Sequence, residues 1–345
     1  MNYALRLAEK GVIPDRIIRI GIRRLLKKRI CDETAATPDE QQEHLMKLIK
    51  ELQASPLAVH TVDANVQHYE VPPAFFEQAL GPHLKYSCCY FDEYCRSLAE
   101  AEAAMLELTC TRAEIQDGMD ILELGCGWGS LTLWLAKHYP GSSITAVSNS
   151  SLQRSFIEKK AKEAGYHNLH VITCDMNSFD TDNRFDRVVS IEMFEHMRNY
   201  KELLARIAGW MKSDAKLFVH IFTHRLLAYL YETEGPDDWM GRYFFTGGIM
   251  PSNSLLLYFQ DDVILENHWI VNGTHYSKTA ECWLSNMDRR TAQIIPVFKN
   301  AYGPKEAALW FQRWRIFFMA CAELWGYKNG TEWFVSHYRF RKHSR

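Results

Sequence analysis

The chain has 345 residues, 47% of them hydrophobic and 13% aromatic, and a formal net charge of −2. That length allows one or two domains with a well-filled core, and the near-neutral balance gives no overall pull toward nucleic acid. Nine cysteines, an odd number without a CxxC pair, argue for free thiols in a reducing compartment. With no signal peptide and no membrane-spanning apolar run, the sequence reads as soluble and cytoplasmic.

The first thirty residues are the exception to this neutrality. Arg6, Lys10, Arg16, Arg19, Arg23, Arg24, Lys27, Lys28 and Arg29 face only Glu9 and Asp15. Ile13, Ile17, Ile20 and Leu25 fall near helical spacing and predict an apolar stripe. An amphipathic helix docked on the body is the preferred reading, with an interfacial helix drawn to anionic lipid as the alternative.

A polar connector follows and leads into a helix from about 39 to 53. Ser97 and Glu100 form a capping box before a helix from Leu98 to about Arg112. From about 116 to 222 strands and helices alternate. The strands are Ile121–Leu124, Ser143–Val147, Leu169–Thr173, Arg187–Ile191 and Lys216–Ile221, with helices near 130–138, 151–164 and 198–212. This alternation predicts an α/β fold with a mostly parallel sheet. Beyond residue 222 the segments become long and aromatic, ending in a helix near 305–325 and forming an aromatic-rich C-terminal cap.

The most informative segment is Glu123-Leu124-Gly125-Cys126-Gly127-Trp128-Gly129, a strand running into a glycine turn and then a helix. Glycine is required where a Cβ blocks close approach or where φ is positive. In a doubly wound sheet, ligands sit at the carboxyl ends of the strands. The spacing GxGxG resembles motif I of S-adenosylmethionine (SAM) dependent methyltransferases. Beyond the second strand the usual acidic residue is missing, so Asn149 or Gln153 must supply the polar contact to a ribose. Asp175, after the third strand, is placed to accept from an adenine amino group, with Met176 against the ring.

The fourth strand runs into Glu192-Met193-Phe194-Glu195-His196-Met197. Glu192, Glu195 and His196 lie at i, i+3 and i+4, so one helical turn gathers all three. Carboxylates hold an ammonium there, and a near-neutral histidine removes its proton. No further His or Cys stands at ligand spacing, so no metal site is expected.

Together with Tyr69-Glu70-Val71-Pro72, Tyr86-Ser87-Cys88-Cys89-Tyr90-Phe91, Tyr258-Phe259-Gln260-Asp261-Asp262 and the Trp325–Gly330 segment with Trp333, these motifs resemble the cyclopropane fatty acid synthase superfamily. The closest likeness is to its coclaurine N-methyltransferase branch. The resemblance implies a Rossmann-like class I SAM methyltransferase fold. Its segments are an N-terminal helical extension (1–60), a cofactor-covering segment (61–115), a SAM-binding core (116–222) and a substrate cap (223–345).

The resemblance further implies SAM, released as S-adenosylhomocysteine, at Tyr86, Ser87, Gly125, Gly127, Asn149 and Gln153. It implies a small apolar or aromatic amine at Glu70, Glu192, Glu195 and His196, covered by Trp239, Tyr243, Phe244, Phe259 and Trp269. It is compatible with a homodimer and implies no nucleic-acid partner. The lipid-modifying relatives hold a bicarbonate, whose ligand types match Cys88, Glu195, His220 and Tyr276. Lipid methylene transfer, with membrane contact, is therefore the alternative to amine N-methylation.

Overall fold

The computed structural model describes residues 3–59, 71–231, 235 and 238–343. Its centre is a seven-stranded sheet in the order β3-β2-β1-β4-β5-β9-β8. The strands are β1 (Asp120–Leu124), β2 (Ser143–Ser148), β3 (Leu169–Thr173), β4 (Phe185–Ile191), β5 (Met211–His224), β8 (Val263–Val271) and β9 (Trp333–Lys342). The strands β3 to β5 pair in parallel, whereas β9 runs antiparallel to both β5 and β8. Two short strands, β6 (Tyr229–Leu230) and β7 (Ile249–Met250), pair apart from it.

The central parallel strands are apolar runs buried on both faces, as in β1, where Ile121, Leu122 and Leu124 are fully buried, whereas the edge strand β3 buries only Val171. The N-terminal helices are α1 (Tyr3–Glu9), α2 (Asp15–Glu33) and α3 (Pro38–Ala54), with α4 (Pro73–Ala79) and α5 (Leu98–Arg112) ahead of the sheet. Crossovers α6 (Ser130–His138), α7 (Ser151–Ala164) and α8 (Tyr200–Trp210) link the parallel strands. Ser97 caps α5, accepting from the Glu100 N–H at 3.2 Å while the Glu100 carboxylate accepts from the Ser97 hydroxyl.

Connections reverse direction between β1 and β4, since β2 lies on one side of β1 and β4 on the other. A crevice opens at the carboxyl ends of two strands where such a reversal occurs. The glycine turn leaves β1 and Glu192 leaves β4, so both signature segments meet at that point.

The C-terminal region does more than cover the sheet, because it supplies β8 and β9. Between and around them lie α9 (Trp239–Tyr243), α10 (Gly273–Arg289), α11 (Thr291–Tyr302) and α12 (Ala307–Gly326). Helix α12 packs on α10 and on α2.

The stripe expected on α2 is displaced. Ile18 is buried, with Ile22, Leu26 and Ile30 packed beside it, whereas Ile17 is 54% exposed and Leu25 49%. Ion pairs fix this rotation: Arg19 with Glu281 and Glu323 at 2.6 and 3.0 Å, and Asp15 with Arg315 at 2.7 Å. The helix docks as expected, but on the face one residue round from the expected one. Among the described residues, no helix is long and apolar enough to cross a membrane.

Candidate active site

The glycine turn is built by steric need. Gly125 has φ +80°, and a Cβ there would lie 2.8 Å from the Met193 side chain, so the turns after β1 and β4 are in contact. Gly127 has φ +52°, and its missing Cβ faces open space. Val147 O anchors the turn by accepting from the N–H groups of Gly125 and Cys126, both at 3.0 Å.

Over this turn lies a cavity of about 230 Å³. Tyr86, Ser87, Gly125, Gly127, Asn149, Gln153, Asp175 and Met176 all border it. Gln153 is buried, and its amide oxygen accepts from the Ser148 hydroxyl at 2.7 Å. One oxygen of Asp175 also has a local duty, accepting from the Asn177 N–H at 2.8 Å. The arrangement fits SAM. Open space over Gly127 admits close backbone approach, Met176 offers an apolar face, and Asn149 and Asp175 offer polar edges.

Sequence reasoning missed Lys85. Its ammonium is buried at the same cavity and bonded to the Ser87 hydroxyl, a cation suited to a ligand carboxylate. It also missed the buried state of Glu123, which accepts from the Thr132 hydroxyl at 2.6 Å and whose carboxyl burial pushes up to about 8. An aromatic-rich flank hid the first. The second was visible only as an acid inside an apolar strand.

Across the cavity stand Glu192, Glu195 and His196. They do not share one helical turn. Glu192 N–H donates to His220 O at 2.8 Å, extending the sheet ladder by one residue, and Glu192 itself has φ +48°. A 3₁₀ turn over Phe194–His196 follows. The left-handed residue aims Glu192 inward, where its Oε1 accepts from the Cys88 N–H at 3.0 Å and lies 3.2 Å from His220 Nε2. Oε2 accepts from the Tyr276 hydroxyl at 2.5 Å. Burial still raises this carboxyl to about 7.

Glu195 is buried with Oε2 lacking a hydrogen-bond partner in the described structure. Burial, then the Glu192 charge, push its carboxyl well up. The His196 ring lies 4.8 Å from that of Phe245. Cys88, Glu195, His220 and Tyr276 are thus gathered, but around the Glu192 carboxylate, and Cys88 contributes its backbone N–H while its thiol donates to Cys89 O. Glu70 lies outside the described residues.

The aromatic residues expected over the substrate sit elsewhere. Trp239 donates from its indole to Glu9 at 2.9 Å, and the Tyr243 hydroxyl accepts from Arg313 at 3.2 Å. Phe244 stacks on Phe317 with centroids 4.4 Å apart. Phe259 packs edge-on to Tyr200 in the core beside β8. Trp269 stands against the Arg112 and Arg339 guanidiniums. None of the five borders the cavity. The aromatic wall comes instead from Phe222, Tyr231, Phe245, Phe317 and Trp325.

Residues 58–330 match the family model described as mycolic acid cyclopropane synthetase. The chain is 41% identical over 342 residues to (S)-coclaurine N-methyltransferase of Thalictrum flavum subsp. glaucum, covering 98% of this chain and 95% of the relative. The chain belongs to this family, in its coclaurine N-methyltransferase-like branch. Among solved structures of the family, a coclaurine N-methyltransferase bound to N-methylheliamine and SAH superposes with TM-score 0.95, at 40% identity over 98% of this chain and 99% of that one. The fold extends to a cyclopropane synthase of Mycobacterium tuberculosis, with TM-score 0.70 at 22% identity over 84% of this chain and all of that one. It is therefore a class I SAM methyltransferase fold with antiparallel strands added at one edge.

Proposed function

We propose that this protein is a SAM-dependent N-methyltransferase acting on the nitrogen of an apolar or aromatic amine, of the tetrahydroisoquinoline kind. The observation that carries the reading is the position of the Glu192 carboxylate. It already takes the Cys88 N–H and the Tyr276 hydroxyl and pairs with the His220 ring. A free bicarbonate in that cradle would find those donors occupied, so the lipid methylene-transfer chemistry lacks its base. The relatives that share the whole chain length point the same way.

When bound, SAM supplies an electrophilic methyl group on a sulfonium. The chain's own residues prepare the acceptor nitrogen. Glu192 and Glu195 are buried carboxyls with raised pKa, and an incoming ammonium supplies the opposite charge that their burial lacks. His196 borders the same space and is suited to take the ammonium proton, freeing the lone pair for in-line attack. Phe245 and the other wall aromatics present faces that attract a cationic product. The unpaired cysteines suit a reducing compartment such as the cytoplasm. A small-molecule amine is the partner in this reading, and a homodimer is compatible with it.

Methyl transfer from labelled SAM to two panels tests the proposal, arylalkyl amines on one side and unsaturated phospholipid vesicles on the other. An amine carrying one added methyl supports it. Label appearing as a methylene in lipid, with none in any amine, overturns it and returns Cys88, Glu195, His220 and Tyr276 to a bicarbonate role.

A further inference from the structure

A line of polar side chains leaves the cavity through the sheet itself. Glu192 Oε1 lies 3.2 Å from His220 Nε2, His220 Nδ1 lies 2.9 Å from His337 Nε2, and His337 Nδ1 lies 2.7 Å from Nη1 of Arg112. His220 on β5 and His337 on β9 are register partners, and both are fully buried. Arg112 ends α5, is partly exposed, and lies over the Trp269 ring. The line therefore runs from a cation at the edge of the fold to the carboxylate at its centre.

One end fixes the direction of every bond. A guanidinium only donates and keeps its protons at any ordinary pH. His337 Nδ1 must then accept, which places the ring hydrogen on Nε2. That hydrogen goes to His220 Nδ1, which places the His220 hydrogen on Nε2, pointing at Glu192. Both rings stay neutral, since burial first, and then neighbouring cations such as Lys85 and Arg112, hold them well below the usual imidazole range. Glu192, at the far end, is the acceptor.

We propose that Arg112 and His337 are positioning residues that act through His220 to hold Glu192 as an oriented, anionic acceptor for the substrate ammonium. Neither touches the cavity. Without the guanidinium, His337 is free to take its other tautomer, and His220 can then turn a lone pair toward Glu192. Contact survives only if the carboxyl takes up a proton, and a neutral carboxylic acid is a poor partner for an ammonium.

Other groups face Glu192 as well. Lys85 and Cys88 precede α5, Glu195 follows in the 3₁₀ turn, Tyr276 is on α10 and Cys321 on α12. Lys85, the Cys88 N–H and the Tyr276 hydroxyl favour its anion, and Glu195 opposes it. The histidine line is the component whose sign depends on a tautomer, so it is the one a remote residue can reverse.

The consequence for substrate binding rests on the amine reading, but the tautomers do not. Two-bond ¹H–¹⁵N correlations of the imidazoles in the intact wild-type protein read them directly, with no substrate. Both buried rings are expected as the neutral Nε2–H form. An Nδ1–H or doubly protonated ring at either position overturns the proposal.

Arg112→Met is expected to raise KM for an accepted amine roughly 10- to 100-fold, the worth of one hydrogen bond to a charged group. The acid limb of kcat/KM should move to higher pH, while kcat and SAH affinity hold. Arg112→Lys, which keeps a cationic donor, should restore most of the loss. A folded Arg112→Met protein with unchanged KM and acid limb overturns the proposal. Failure of the amine reading shows differently: no amine is methylated even by the wild type, while the tautomers stay as assigned.

Discussion

Where the cavity rests on the glycine turn its wall is backbone, and where it faces the amine its wall is side chain. On the first side Gly125 and Gly127 have positive φ, and Val147 O ties the turn to β2. On the second, one carboxylate is held by partners from three separate segments, at Cys88, His220 and Tyr276. Aromatic rings from β5 and the C-terminal helices complete that wall. A backbone-built half tolerates few residue types and binds a part of the ligand that does not vary. A half built from distant side chains can change its occupant by exchanging one ring or one acid without disturbing the fold. The cofactor side and the substrate side thus differ in how freely they can diverge.

The strongest way to break this division is at His196, on the side-chain half. His196→Ala should lower turnover by roughly 10²–10⁴-fold, the usual worth of a general base. SAH binding, read by calorimetry, should be nearly unchanged because the turn is untouched. Equal loss of turnover and SAH affinity would mean that the two halves are not separable. Unchanged turnover would remove His196 from the chemistry.

Two phenylalanines sharpen the contrast from the other direction. Phe259→Ala, in the packed core, should cost about 3–5 kcal/mol of stability, as large-to-small changes there do, and leave KM for the amine near its original value. Phe245→Ala, at the cavity, should raise KM roughly tenfold through loss of one aromatic contact with a cation, with a smaller effect on stability. Urea unfolding and steady-state kinetics on both variants decide. The reverse pattern would place the substrate under Phe259.

That same contrast explains how far the sequence could be read. The five parallel strands and their crossovers were legible because apolar runs, glycine spacing and caps are local signals, and residues 116–222 contain little else. The cofactor-side candidates that follow β1, β2 and β3 reached the cavity for the same reason, since the alternation locates those strand ends, whereas Tyr86 and Ser87 reach it from the loop before α5. The aromatic cap was legible in kind but not in detail. Tyr243, Phe244 and Phe245 are adjacent, yet only Phe245 reaches the cavity; the orientation of α9 against α12 decides which, through the stacking of Phe244 on Phe317. Nothing local marks that choice. The partnership of His220 with His337 and Arg112 was equally hidden, because it depends on β9 inserting beside β5 from far along the chain.

On the backbone half the buried carboxyl of Glu123 gives the most specific effect. Its carboxyl sits near 8 in the folded protein against an ordinary value of 4.5, because burial penalises the anion more than the Thr132 hydroxyl rewards it. Between those two values the unfolded chain is ionised there and the folded chain is not. The folded state then binds the extra proton, so its stability falls as pH rises through this window and levels off above the folded value. Glu102, raised to about 7, and Glu192, raised to about 7, add to the same slope. Glu123→Gln keeps an acceptor for Thr132 and removes the charge. The variant should match the parent near the acid end of the window, and exceed it at the alkaline end. Urea unfolding of the ligand-free protein at both ends measures this directly. A variant less stable than its parent at alkaline pH would mean that Glu123 is ionised in the fold and that a cation such as Lys85, whose charge favours the Glu123 anion, compensates it.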